Sequence, residues 1–403
     1  MIKIVTNVQK NKKFLQLFTL AAMSFNLYSS PTGYTPTFTT NVVYPNVTNG
    51  TIFKPVNNQA HRILFYTGTK DGQVSPGYYL AQNFLGWVQY KFPVLEQYNV
   101  LDKNILDVSN GPRNKTVVLS YVNGVGQLLS NTSDGKAFAT QRINTESKFN
   151  HLTLVDVGGL QSVAVYGNTH TSLLTSSDAN SWQQWALPNI CSTNTSCVFD
   201  NKFFGSLNDK FVLLQSKNQN SVISNEFYTS TNLVRWYGKD LPFANDLIQN
   251  VTGDNNVLVA SVKQGLEHKL WLTPDLTNWV DYTLPSDAEV TDSKTFSQNK
   301  LAVLLVRQAA APTTSAHLAT CIASDGDCPP CPCQEHHKGD APVEPTFVTD
   351  VLVIDSANQS QEVLHTFAGR LTSITNLDNK LFFAGDFTND NDKKHAALAS
   401  TSF

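Results

Sequence analysis

Apolar residues in this chain fall in short runs and not at helical spacing. Phe211-Val-Leu-Leu-Gln, Val257-Leu-Val-Ala-Ser-Val and Leu301-Ala-Val-Leu-Leu-Val are bounded mostly by Asn, Asp, Lys and Gln. Short β-rich runs closed by turn formers predict strands. A second pattern stands between the runs. Ser176-Ser-Asp178-Ala-Asn-Ser-Trp182 precedes Pro188, Ser230-Thr-Asn232-Leu-Val-Arg-Trp236 precedes Pro242, and Thr273-Pro-Asp275-Leu-Thr-Asn-Trp279 precedes Pro285. A weaker copy pairs Asn83 with Trp87, and a fifth pairs Asp134 with Phe138 and lacks the proline. Successive aromatics lie 51, 44, 54 and 43 residues apart, and a motif at such a period marks a repeat architecture.

The motif reads mechanically as a locked hairpin tip. Asp and Asn hydrogen-bond their own backbone and favour tight turns, and the preceding Ser or Thr does the same. The aromatic opens the next strand, and its flat apolar body can cover the turn and the neighbouring repeat. In this form the pattern resembles the Asp-box, or bacterial neuraminidase repeat, of sialidase-like β-propellers. That family's box places the acid one residue further from its Trp and carries a Gly that is mostly missing here. The likeness is therefore to the wider, degenerate repeat group, over about residues 55 to 330. It implies an all-β propeller of four-stranded antiparallel blades, with the boxes as structural turns on the outer side of each blade.

Counting blades extends this expectation. Five boxes mark five blades, and Ala323-Ser-Asp325-Gly-Asp-Cys328 offers a sixth at about the right distance. Leu371-Thr-Ser-Ile-Thr, Lys380-Leu-Phe-Phe-Ala-Gly-Asp-Phe and His395-Ala-Ala-Leu-Ala-Ser give three strands of a blade that lacks its outer strand. The segment from Tyr34 to Tyr44 could supply it, closing the ring and protecting the strand edges. Seven blades is the expected count, with six as the alternative.

Composition narrows the class. A propeller uses all of residues 31–403, and the chain is rich in Asn, Ser and Thr with 15% charged residues, as short strands with polar turns require. Residues 1–30 read as an export segment: lysines to position 13, then the apolar run Phe14 to Phe25, too short to span a bilayer. Removing them takes the formal charge from −3 to −7, because they hold four lysines and no acid. No basic run outside this segment suggests a nucleic-acid partner. No other stretch is long and apolar enough to be a transmembrane span. The expected location is secreted, periplasmic or cell-surface.

Export bears on the six cysteines, since an even count in an oxidising compartment favours disulfides. Cys191 and Cys197 bracket five residues and read as a loop staple. Cys321, Cys328, Cys331 and Cys333 fall in an insertion at about 309–345 and are read as two further disulfides. With His336 and His337, the last three could instead form a thiolate–imidazole zinc or Cu(I) site, or the segment could be an unordered loop. Long loops on a rigid scaffold are where function concentrates.

Candidate chemistry is otherwise sparse. Sialidase activity needs an arginine cluster for the substrate carboxylate and a Tyr–Glu nucleophile pair. Arg62, Arg113, Arg142, Arg235, Arg307 and Arg370 form no recognisable set, and Arg62, the one on a candidate inner strand, lacks the family's signature. The Thr273 to Trp279 turn also resembles one in arabinan- and fructan-cleaving glycosidases, which use paired carboxylates, but it recurs here as a scaffold element. No Gly-x-Ser-x-Gly, His-Glu-x-x-His, phosphate loop or dinucleotide fingerprint occurs, so no catalytic residue and no cofactor are assigned. The leading expectation is an exported, non-enzymatic propeller that binds a protein or glycan partner. The alternative is a degenerate extracellular glycoside hydrolase.

Overall fold

A computed structural model describes residues 39–42 and 48–402, less 54, 59–60, 71–72, 82–86, 144–148, 192–196, 286, 298–299, 310–346, 357–358, 378–379 and 389–393. The export segment, Asn83, the cluster from Cys321 to Cys333, His336 and His337 lie outside the described residues.

Strands dominate. β1 (Thr39–Val42) precedes a sheet made of β2 (Thr48–Ile52), β3 (Val56–Asn57), β4 (Arg62–Lys70), β5 (Gln73–Ala81) and β6 (Val88–Lys91), in which β2 and β3 both pair with β4. Four sheets of four strands follow. The first holds β7 (Lys103–Gly111), β8 (Lys115–Val122), β9 (Gly126–Thr132) and β10 (Ala139–Arg142). The second holds β11 (His151–Val157), β12 (Leu160–Tyr166), β13 (Ser172–Ser176) and β14 (Gln183–Ala186). Next come β15 (Cys197–Leu207), β16 (Lys210–Gln219), β17 (Val222–Ser230) and β18 (Tyr237–Lys239). Then come β19 (Leu247–Gly253), β20 (Leu258–Gln264), β21 (Glu267–Thr273) and β22 (Val280–Leu284). The last sheet joins β23 (Glu289–Ser297), β24 (Lys300–Gln308), β25 (Phe347–Asp355), β26 (Ser360–Leu377), β27 (Lys380–Thr388) and β28 (Lys394–Ser402), with β1 on its far edge. Among the described residues, helix is confined to the turns Pro93–Glu96 and Pro112–Asn114.

The sheets are antiparallel blades of a propeller, and they number six, the alternative count and not the expected seven, with the seven strands joined through β26 taken as one. The reason is β26. Its half from Ser360 to Ala368 pairs with β25, and its half from Gly369 to Leu377 pairs with β27. The two ladders do not overlap, and β26 runs unbroken from the edge of one to the edge of the other. The N-terminal segment closes that sheet: Thr39 to Val42 pair antiparallel with Ser400 to Ala397. One box candidate is displaced. In every sheet with a box the turn joins the third and fourth strands, which in the last sheet are β25 and β26. Asp325 falls instead between the second and third strands, β24 and β25.

Apolar clusters fill the gaps between successive sheets. Val117, Leu119 and Leu129 of the second sheet meet Leu152, Val163 and Val165 of the third, all at most 3% exposed. Val212, Leu214 and Phe227 of the fourth sheet meet Leu258, Ala260 and Val262 of the fifth. The strands nearest the axis, β23 and the second half of β26 both among them in the last sheet, carry a recurrent irregularity. One-residue bulges fall between Ile105 and Asp107, Asn201 and Phe203, Ile248 and Asn250, Val290 and Asp292, and Leu371 and Ser373. A bulge re-aims a side chain. Here Asp107 Oδ2 accepts from Leu152 N of the next sheet at 2.6 Å, and Asp292 Oδ2 accepts from Ile374 N at 2.9 Å.

Candidate functional site

Antiparallel order sends the turns between strands one and two, and between three and four, to one end of the propeller. The connections between strands two and three, and from each sheet to the next, gather at the other end.

The four described boxes stand at the first end and share one hydrogen-bond pattern. Asp178 Oδ1 accepts from the N–H groups of Asn180 and Ser181 at 2.8 and 2.7 Å. Asp134 does so with Lys136 and Ala137, Asp275 with Thr277 and Asn278, and the Asn232 amide oxygen with Val234 and Arg235. The leading hydroxyls of Thr132, Ser230 and Thr273 accept from the residue after the acid or amide at 2.9–3.0 Å. Those backbone N–H groups, Ser181 foremost, hold the Asp178 carboxyl well below the usual carboxylate range. Lys136 N–H leads the same effect at Asp134. At Asp275 burial works upward but is outweighed by the Asn278 backbone and amide donors, so the carboxyl is again lowered. Asn232 fills the same role without charge, so the turn needs an acceptor and not an anion.

The residue after each acid or amide is the staple. Gly135, Ala179, Leu233 and Leu276 all have positive φ, from 61° to 73°. The last three are at most 5% exposed and pack on the preceding sheet: Leu276 joins Leu207, Val212 and Leu214. A Cβ at Gly135 would lie 2.4 Å from Leu80 Cδ1, so a side chain there would have to displace the Leu80 methyl. Trp87, Phe138, Trp182, Trp236 and Trp279 are half-buried. Phe138 sits edge-on to Phe92 at 5.2 Å and Trp279 edge-on to Phe243 at 5.1 Å.

At the same end the axial strands enclose a cavity of about 320 Å³. Ser109 and Asn110, Asp254 to Asn256, Ser293 and Lys294, and Thr375 and Asn376 line it, with Val56, Leu154 and Ile374 as apolar wall. Its carboxylates are committed to the fold. Asp254 accepts from the N–H groups of Asn256, Val257 and Thr295 and pairs with Lys294 at 3.3 Å. Asp292 accepts from Ser293 and Ile374 N–H. Among the described residues no arginine lines the cavity. Arg307 donates to Asp350, and Arg370 donates to both oxygens of Glu289. Arg62 opens β4, one strand out from the axis. The cavity residues went unread in the sequence. Their signal is the bulge motif itself, an apolar residue, one extra residue, then Asp, Asn or Ser: Ile105-Leu-Asp107, Ile248-Gln-Asn250, Val290-Thr-Asp292 and Leu371-Thr-Ser373.

Exposed apolar side chains stand at both ends: Leu160 and Val234, at the box end, are 77 and 67% exposed, and the other end has its own set. Leu101, Val198, Val222, Leu247 and Leu266 are 74, 67, 65, 46 and 92% exposed, and all stand on its connections or on the strand residues next to them. The Cys191–Cys197 disulfide is formed there, on the connection from β14 to β15. β24 ends and β25 begins at this end. Among the described residues, no group of three or more His, Cys, Asp or Glu could hold a metal ion, and no helix is long and apolar enough to cross a membrane.

No family model matches the sequence, and no curated protein does. Solved structures match along most of the chain. A structure described as YCF48 bound to D1 peptide is similar over 93% of this chain and 100% of its own, with a TM-score of 0.54 and 11% identity. A streptogramin B lyase covers 91% and 98% with a TM-score of 0.52 and 11% identity. The β-propeller domain of the Trilobed protease from Pyrococcus furiosus covers 88% and 94% with a TM-score of 0.52 and 8% identity. At such identities the likeness establishes the fold: the protein is a β-propeller, and its function has to be argued from its own surface.

Proposed function

We propose that this protein is an exported, non-catalytic β-propeller that binds a protein partner through the end bearing its inter-sheet connections. The observation that carries the reading is that exposed Leu101, Val198 and Leu247, on or beside the inter-sheet connections, share that end with exposed Val222 and Leu266 and with the Cys191–Cys197 staple. Exposed apolar patches mark interaction sites more than scattered single residues do. The structure described as YCF48 bound to D1 peptide is a peptide complex on a propeller of similar fold, which makes such use of the scaffold reasonable. Export is supported by the basic-then-apolar N-terminal sequence and by the Cys191–Cys197 disulfide, which persists in oxidising compartments. The turns at Asp134, Asp178, Asn232 and Asp275 support kinship with the degenerate Asp-box repeats, as scaffold and not as sialidase machinery.

Cross-linking the protein in its native compartment, followed by mass spectrometry, tests the reading. Cross-links should map to the connection end, and a Leu101→Asp, Leu247→Asp, Leu266→Asp triple variant should lose them while keeping its melting curve. The glycoside hydrolase alternative is tested by incubation with sialosides, arabinans and fructans. Release of reducing sugar, abolished by Asp292→Asn or Asp254→Asn, would overturn the non-catalytic reading.

A further inference from the structure

We infer that the axial cavity at the box-turn end is a binding site for a neutral saccharide. The cavity and the proposed partner face lie at opposite ends of the propeller. About 320 Å³ lies at the lower end of the range for small-ligand pockets, roughly 300–1,000 Å³. Its chemistry excludes several ligand classes. Asp254, Asp292 and Lys294 are its charged residues, and each is already occupied by backbone N–H groups or by the Asp254–Lys294 pair. A charged ligand would have to break that pair or enter without a counter-charge, and an apolar one would bury amides and hydroxyls without partners.

What remains is a set of neutral groups that each donate or accept. The Asn256 and Asn376 amides and the Ser109 and Thr375 hydroxyls line the cavity and make no side-chain hydrogen bond among the described residues. Asn110 and Asn255 commit their Oδ1 atoms to Asn57 N and to the Ser206 hydroxyl, which leaves their NH₂ groups for a ligand. Carboxamides and hydroxyls around a small apolar wall of Val56, Leu154 and Ile374 match a ring of alternating hydroxyl and C–H groups. The same chemistry would recognise a free sugar or the end of a glycan chain.

The test uses the whole exported chain and a panel of methyl glycosides of glucose, galactose, mannose and N-acetylglucosamine, with sialate, glucuronate and a blocked dipeptide as comparators. Saturation-transfer NMR and calorimetry should find at least one neutral glycoside with a dissociation constant on the order of 1 mM. Asn256→Ala and Asn376→Ala should each weaken it about tenfold, the loss of one hydrogen-bonding group. Both variants should melt as the parent does, and Leu101→Ser at the far end should bind unchanged. Immobilised oligosaccharides ending in the preferred sugar separate the sources. Capture assigns the site to glycan ends, and binding of the free sugar alone assigns it to small sugars. The inference is overturned if no neutral glycoside binds, if only sialate, glucuronate or the dipeptide binds, or if neutral-sugar binding survives both asparagine variants.

Discussion

Replacing Leu276 by Ala removes the side chain that the Asp275 turn inserts into the preceding sheet. Leu276 is 4% exposed, at φ 66°, among Leu207, Val212, Leu214 and Phe227. Truncating a buried leucine costs about 2–5 kcal/mol, depending on how far the site collapses. The backbone contributes nothing to this difference, because alanine carries the same left-handed penalty. Glycine does not. Leu276→Gly recovers about 1–2 kcal/mol of that penalty. It also loses about 0.8 kcal/mol of methyl burial and roughly 0.4–1 kcal/mol more through the freer unfolded chain. The two variants should therefore fall within about 1 kcal/mol of each other. A loss of about 3 kcal/mol would lower the melting temperature by roughly 4 °C in a domain of this size. Urea titration and calorimetry measure both variants, and a double-mutant cycle with Val212→Ala reports the contact across the sheets. A cost below about 1 kcal/mol for Leu276→Ala, or no coupling to Val212, would refute the staple.

Other outcomes follow from the same geometry. Trp236→Ala should cost about 2–3 kcal/mol in urea titration, less than a fully buried Trp, because its ring is half-buried although it meets Phe204 edge-on at 6.4 Å. Asp178 is held ionised by Ser181 and Asn180 N–H groups, so its contribution is present above the ordinary carboxylate pKa and is lost as pH falls below about 4 toward its lowered value. Asp178→Asn, the form that Asn232 already takes, should flatten the acid limb of a stability–pH profile, and an unchanged limb would count against the turn. Replacing Cys191 and Cys197 by Ser should cost about 2 kcal/mol, while intact mass after alkylation should show those two thiols unlabelled in the parent. Deleting residues 1–47 removes β1 from the edge of β28 and should lower the melting temperature, and an unchanged melt would show that this pairing adds no stability.

What the sequence disclosed follows the reach of each interaction. The box turns were legible because Asp178 binds N–H groups two and three residues away, so the whole device lies inside one heptapeptide. The axial carboxylates were not, because Asp107 finds its partner 45 residues on and Asp292 finds its partner 82 residues on. The bulge that aims them is a register event between strands and shows only as one extra residue in a weak motif. The choice between seven sheets and six was not legible for a related reason. Gly369 is the lone turn former where Phe367-Ala-Gly-Arg370 carries β26 through from β25 to β27, and nothing local says that the strand continues past it. The N-terminal pairing was legible because a missing outer strand at one end of the chain matched an unassigned β-rich segment at the other.

The boxes and the cavity share an end of the propeller, and specific contacts tie them together. Lys115, in the turn between β7 and β8, donates to the Asp178 carbonyl in the box of the next sheet at 2.9 Å. Asn208, in the turn between β15 and β16, donates to the Pro274 carbonyl in the next box at 2.8 Å. Each of these axial hairpins is thus held by a turn of its neighbour, and the cavity residue Asn110 sits beside the first of them. A box that loses its acceptor frees the hairpin that leans on it. Damage to this scaffold should therefore reach ligand recognition before it reaches global unfolding.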